Sequence, residues 1–257
     1  MRKIILSHQK NIRDLGGLKG YKGKKVKPGR LFRGGFLGRV NEEDIEIINS
    51  LHLTDIIDFR SEHEFLNRPD YPFEGVTFHN CVTLINDIKK DNNATEDSNL
   101  LWFLEDDLDG FKHMYNIYPK VAVDPAGIKG YKEFFKLLVS KDDGVFYFHC
   151  SQGKDRAGLA AYFLEMALGV SKEDALNDYL LTNEAMEIRI KNLKEMEKSK
   201  PYYNKQYEKA LDEVFAVDPR YLNHAIEVIE ETFGSMDNYL VNILEIDIKR
   251  LRKLYLE

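Results

Sequence analysis

Cysteine is scarce in this 257-residue chain: Cys81 and Cys150 are the only two. They do not suggest a disulfide framework, so the fold must rest on a packed core. Long apolar runs are missing too, and no stretch approaches the about 20 residues of a membrane-crossing helix. Met1-Arg2-Lys3 opens like the basic start of a signal segment. Ile4, Ile5 and Leu6 are too few to make its apolar stretch. Positive charge is not in excess: 37 Lys and Arg face 43 Asp and Glu, a net charge of −6, which argues against general nucleic-acid binding. No glycine-rich nucleotide loop, haem motif or metal-ligand cluster is visible. His8, His52, His63, His79, His113 and His224 are scattered. The expectation is a protein without metal or cofactor.

What is present suits one globular unit. The hydrophobic fraction is 43% and the charged fraction 31%, and the length fits a single domain over 1–257. Short apolar runs predict strands near 3–6, 30–33, 54–59, 75–81 and 145–149. Helical spacing predicts helices at 42–51, 128–139, 157–168, 172–198, 203–215, 219–233 and 236–246. The fold class expected is α/β, a central mixed sheet flanked by helices with a helical C-terminal half. The segment 84–112 reads as a mobile surface excursion. Cys81 reads as a small core residue at a strand end.

One segment carries chemistry: His149-Cys150-Ser151-Gln152-Gly153-Lys154-Asp155-Arg156-Ala157-Gly158. It follows the apolar run Val145-Phe146-Tyr147-Phe148 and precedes Leu159, Ala160, Phe163, Leu164 and Ala167 at helical spacing. A loop so placed sits at a helix N-terminus, where amide groups lack intrahelical partners and the dipole is positive. Such a loop can hold a dianionic phosphate, aided by a bidentate guanidinium from Arg156. The same field favours a thiolate at Cys150, a nucleophile able to form a phosphocysteine. Ser151, Gln152, Gly153, Lys154, Ala157 and Gly158 complete the expected phosphate-binding loop, with the two glycines permitting its tight turn.

This loop resembles the signature of the cysteine-dependent protein tyrosine phosphatase superfamily, and Gly153-Lys154-Asp155-Arg156 resembles its bacterial tyrosine/lipid phosphatase branch. Further matches appear in order: Asn11-Ile12-Arg13-Asp14-Leu15-Gly16-Gly17, Gly29 to Gly35, Asp58-Phe59-Arg60-Ser61-Glu62, Asp178 to Asn183, and Phe233-Gly234-Ser235 with Tyr239-Leu240. The resemblance implies a tyrosine phosphatase fold, Cys150 and Arg156 as catalytic residues, and Asp155 as the general acid. Asp124, before Pro125, competes as acid on a separate loop, although Asp-Pro also suits a helix N-cap. The resemblance further implies that 171–218 includes a helical lid over the site; a solvated flank is the other reading.

The expected partners are a phosphorylated protein or a phosphoinositide, with phosphate as product and a membrane surface only through a lipid substrate. Lys154 and the basic segment Lys19, Lys22, Lys24, Lys25, Lys27 and Arg30 are the features that favour the phosphoinositide alternative; general electrostatic support explains Lys154 equally, and a solvated hairpin turn is the main reading of the basic segment. His149 is expected to order the loop. Asn11, Arg13, Asp14, Asp58 and Arg60 are expected to brace it from behind. A catalytic thiol suits the reducing cytoplasm, the expected location; export by a route the sequence does not display is the alternative.

The position after the arginine usually carries Ser or Thr in the superfamily, where the hydroxyl stabilises the leaving thiolate. Here it is Ala157. A phosphate-binding pseudophosphatase is therefore a third reading, opposed by the intact Cys150, Asp155 and Arg156. The expected consequence is slow hydrolysis of phosphocysteine. In quench-flow kinetics, Ala157→Thr should raise turnover and shrink the trapped intermediate; equal breakdown rates would sink this reading.

Overall fold

Strand β6 (Phe146–Cys150) alternates its side chains between the two faces of a sheet. Phe146, Phe148 and Cys150 enter one apolar cluster, while Tyr147 enters the other. Neighbouring strands obey the same period, with Leu31 and Ile57 on the first face and Phe32 and Ile56 on the second. All are buried, so β6 is a central strand covered on both sides. The computed structural model describes residues 2–84 and 108–257.

Among the described residues the sheet has six strands in the order β1 (Arg2–Ile4), β2 (Ile12–Asp14), β3 (Leu31–Gly35), β6, β4 (Asp55–Asp58) and β5 (Thr77–Asn80). The β1–β2 and β2–β3 pairs are antiparallel; β3–β6, β6–β4 and β4–β5 are parallel. Cys150 therefore stands opposite Gly35 at the C-terminal edge of the parallel strands, where crossover connections open a crevice for ligands. The mixed α/β sheet matches the sequence expectation. Strand β2 does not appear in it, because its Arg13 and Asp14 are buried charges that break the apolar pattern.

Among the described residues ten helices follow or interleave: α1 (Glu42–Asn49), α2 (Glu62–Asn67), α3 (Gly110–Val123), α4 (Pro125–Leu138), α5 (Arg156–Leu168), α6 (Lys172–Glu197), α7 (Lys205–Phe215), α8 (Pro219–Phe233), α9 (Met236–Asn238) and α10 (Ile248–Tyr255). Helix α9 runs into a π-helical turn at Tyr239–Ile243, where the sequence predicts one helix over 236–246. Of the excursion expected at 84–112, residues 85–107 lie outside the described residues, and from Gly110 the chain is already helix α3. Its interior Pro119 argues against a helix on sequence grounds. Burial of Met114, Tyr118, Val121 and Ala122 against the core outweighs the lost hydrogen bond. None of the described helices is long and apolar enough to cross a membrane.

The helical half is joined to the sheet by charge as well as by packing. Asp178 on α6 is fully buried and accepts from Arg13 Nε at 2.8 Å and Arg33 Nη1 at 2.6 Å. Burial would raise its carboxyl, but the two guanidinium groups hold it below the ordinary value. The first turns of α6 bury Ala175, Asp178, Tyr179, Thr182 and Met186, so they belong to the core, whereas the later turns pair with α7. A lid beginning at 171 would have to carry this ion cluster with it. Asp178→Ala leaves two buried guanidinium groups without their partner. The expected loss is about 3–5 kcal/mol of unfolding free energy by denaturant titration.

Candidate active site

The loop between β6 and α5 begins at Cys150, which is 3% exposed, and ends with Asp155 at the N-cap of α5. Its shape is set by what its carbonyls touch. The Ser151 carbonyl accepts from the Phe36 amide at 3.4 Å. The Gln152 carbonyl accepts from Asn11 Nδ2 at 3.0 Å, and the Gly153 carbonyl from Arg33 Nη2 at 3.0 Å. In a planar trans peptide the carbonyl and the next amide point in opposite directions. Turning three consecutive carbonyls toward the protein thus turns the amides of Gln152, Gly153 and Lys154 toward the concave side. Gly153 permits this: its φ is +70°, and a Cβ there would lie 2.3 Å from the backbone of Gly34. Tyr131 adds a hydrogen bond from its hydroxyl to the Arg156 carbonyl at 2.9 Å.

Arg156 is gripped by a residue that the sequence reading passes over. Glu64 accepts from Arg156 Nη1 at 2.6 Å and from Nη2 at 2.9 Å, a bidentate pair. The Ser151 hydroxyl donates to the same carboxylate at 2.7 Å. Burial would raise the Glu64 carboxyl, but Arg156 and the Ser151 and Ser61 hydrogen bonds hold it well below the carboxylate range. The pair raises Arg156 in turn, against its own burial. Glu64 reaches this place because Ser61-Glu62-His63-Glu64 forms a capping box at the start of α2. That Ser-x-x-Glu pattern is the signal by which Glu64 is readable from sequence.

Asp155 holds the N-cap position but makes no capping bond. Its Oδ1 accepts from the Tyr118 hydroxyl at 2.7 Å and lies 3.3 Å from Lys154 Nζ. Asp124 is exposed at the junction of α3 and α4; it occupies the α4 N-cap ahead of Pro125, without a side-chain capping bond. Lys154 is 3% exposed, and its ammonium donates to the carbonyls of Val214 and Ala216 at the end of α7. The basic segment 19–27 precedes β3, at the edge of the sheet opposite Cys150, and pairs with the chain's final residues through Lys25 and Val26. Ala157 is fully buried in the first turn of α5. Gly158 lies against Arg33 and the Tyr179 ring.

The residues expected to brace the loop divide into three sets. Asn11 and Arg13 stand behind the loop: Arg13 Nη1 donates to Asn11 Oδ1 at 2.7 Å, which orients the Asn11 amide toward Gln152. Asp14 does not join them. It accepts from the amides of Gly16 and Gly29 and fixes the chain entering β3. Arg60 pairs with Asp58 and Asp70 beneath His149, whose Nε2 is 3.4 Å from Asp70. Asp58, Asp70 and His149 have the spacing of a cation site, but the Arg60 guanidinium already supplies the positive charge. Cys81 is buried just past β5, its thiol pushed up to about 12 by burial, then by Glu133 and Asp58. Strand β4 lies between it and Cys150. Two strand spacings, about 9–10 Å, exceed the Cα separation of a disulfide.

The sequence matches the model of the tyrosine phosphatase family over residues 4–257. The chain belongs to the tyrosine phosphatase family. A Cupriavidus necator protein provisionally named a tyrosine-protein phosphatase is 30% identical over 261 residues, covering 96% of this chain and 85% of that protein. The triple specificity protein phosphatase PtpB of Mycobacterium tuberculosis is 24% identical, covering 90% of this chain and 92% of that one. The crystal structure of P. aeruginosa TpbA in complex with pTyr aligns over 90% of this phosphatase and 88% of that chain, at 11% identity and a TM-score of 0.25, too small an overlap to bear on it.

Glu64→Gln should destabilise this phosphatase at pH 7 by on the order of 2 kcal/mol, since Arg156 loses a charged acceptor. The folded carboxyl lies below its unfolded value of about 4.3. Its stabilisation is therefore complete above that pH and lost as pH falls. The gap between wild type and variant in thermal melts should narrow from about pH 5 to about pH 3.

Proposed function

We propose that this tyrosine phosphatase cleaves phosphotyrosine through a phosphocysteine on Cys150. Sγ attacks phosphorus, and the bond to the tyrosyl oxygen breaks with its electron pair. Asp155 protonates that departing oxygen. Arg156 and the loop amides neutralise the equatorial oxygens as charge spreads over them. In the second step Asp155, now a base, takes a proton from water, which displaces the Cys150 thiolate and releases phosphate. The observation that carries this reading is the loop itself: its carbonyls are held away from the concave side, beside a buried thiol and an arginine gripped by Glu64. Dual specificity is consistent with the same loop.

The phosphoinositide alternative draws no support from the two features that favoured it. Lys154 is engaged by the α7 carbonyls, and the basic segment stands at the far edge of the sheet. A free, unpaired thiol at Cys150 suits the cytoplasm as the place of action. The test is phosphate release from phosphotyrosyl peptides, phosphoseryl peptides and phosphoinositide vesicles. Phosphotyrosine should be preferred, and Cys150→Ser should lose on the order of 10³-fold or more. Release no greater than that of Cys150→Ser would overturn the hydrolase reading; preference for the vesicles would overturn the substrate.

A further inference from the structure

The carboxyl of Asp155 is held from a direction that the loop does not supply. Tyr118 on α3 and Tyr179 on α6 are both buried, and their hydroxyls are 2.7 Å apart. Tyr118 in turn donates to Asp155 Oδ1 at 2.7 Å. A hydroxyl has one hydrogen, so the chain of bonds has a direction: Tyr179 donates to Tyr118, and Tyr118 donates to Asp155. Burial, then the charge of Asp155, raises both phenols well above the ordinary tyrosine value, so both stay neutral donors. Asp155 meanwhile forgoes the capping bond open to an aspartate at a helix N-cap.

From this geometry we infer that Tyr118, backed by Tyr179, is a positioning residue that sets which oxygen of Asp155 carries the transferred proton. The inference rests on the reading of Asp155 as general acid. Oδ1 accepts from the Tyr118 hydroxyl and forms an ion pair with the Lys154 ammonium at 3.3 Å. A proton on Oδ1 would meet the Tyr118 hydrogen and the Lys154 charge, so the acid proton sits on Oδ2. The two contacts also stop the carboxyl from rotating, which keeps Oδ2 aimed during protonation of the leaving oxygen and during activation of water. The groups around Asp155 are Lys154 from the loop, Tyr118 from α3, Tyr179 from α6 and, at longer range, Tyr221 from α8. Helices α3 and α6 thus help complete a site whose nucleophile lies on the sheet.

The test compares kcat/KM against pH for wild type, Tyr118→Phe, Tyr179→Phe and Asp155→Asn. The substrates are phenyl phosphate, whose leaving group needs a proton, and p-nitrophenyl phosphate, whose leaving group needs little help. Asp155→Asn should lose about 10²–10⁴-fold on phenyl phosphate and far less on the nitro compound. Tyr118→Phe should show the same pattern on a smaller scale, about tenfold more loss on phenyl phosphate, the order of one hydrogen bond to a charged group. Its alkaline limb should move to higher pH, because the lost donor favours the carboxylate. Tyr179→Phe, which removes only the outer link, should act in the same direction and serves if Tyr118→Phe is recovered poorly. Equal losses on both substrates with an unmoved limb would overturn the role of Tyr118 while leaving Asp155 in place. Equal losses in Asp155→Asn would overturn the acid assignment, and this inference with it.

Discussion

Three backbone carbonyls turned away from the concave side of the loop determine much of this structure. The carbonyls of Ser151, Gln152 and Gly153 accept from the Phe36 amide, Asn11 Nδ2 and Arg33 Nη2, and planarity of the peptide sends the following amides toward the concave side. Without those partners the loop would present alternating oxygens and hydrogens, and a phosphate would meet repulsion. The donors are expensive to keep in place: Arg33 is fully buried and needs Asp178, and Asp178 needs α6 folded against the sheet. A local loop geometry is thereby tied to a helix more than twenty residues downstream.

A second tie runs through Arg156. A guanidinium on a flexible stem loses rotamer freedom when it binds a ligand. Glu64 has already fixed it, with two of its five donors committed to the carboxylate. The charge of the pair is neutral overall, so attraction for a phosphate comes from the loop amides, the helix N-terminus and the remaining guanidinium hydrogens.

The sequence made the loop legible because its chemistry is contiguous. Strand, loop and helix fall within residues 145–168, and the apolar spacing on either side announces them. What lay hidden depends on contacts between distant segments. Strand β2 escaped notice because Arg13 and Asp14, expected to brace the loop, interrupt the apolar alternation that marks a strand. Helix α3 escaped because Pro119 argues locally against it, and with it went Tyr118. Glu64 carried a readable capping pattern, but its bond to Arg156 spans 92 positions. Lys154 shows the converse error: its place in the loop suggests a phosphate ligand, whereas the end of α7 draws its ammonium the other way.

Backbone amide NMR of the full chain titrated with inorganic phosphate tests most directly whether residues 151–156 form a prebuilt amide cradle. Saturable shifts are expected to concentrate at Gln152, Gly153 and Lys154, with the Arg156 side chain responding in parallel. Shifts confined to the basic segment 19–27, with the loop amides unmoved, would contradict it.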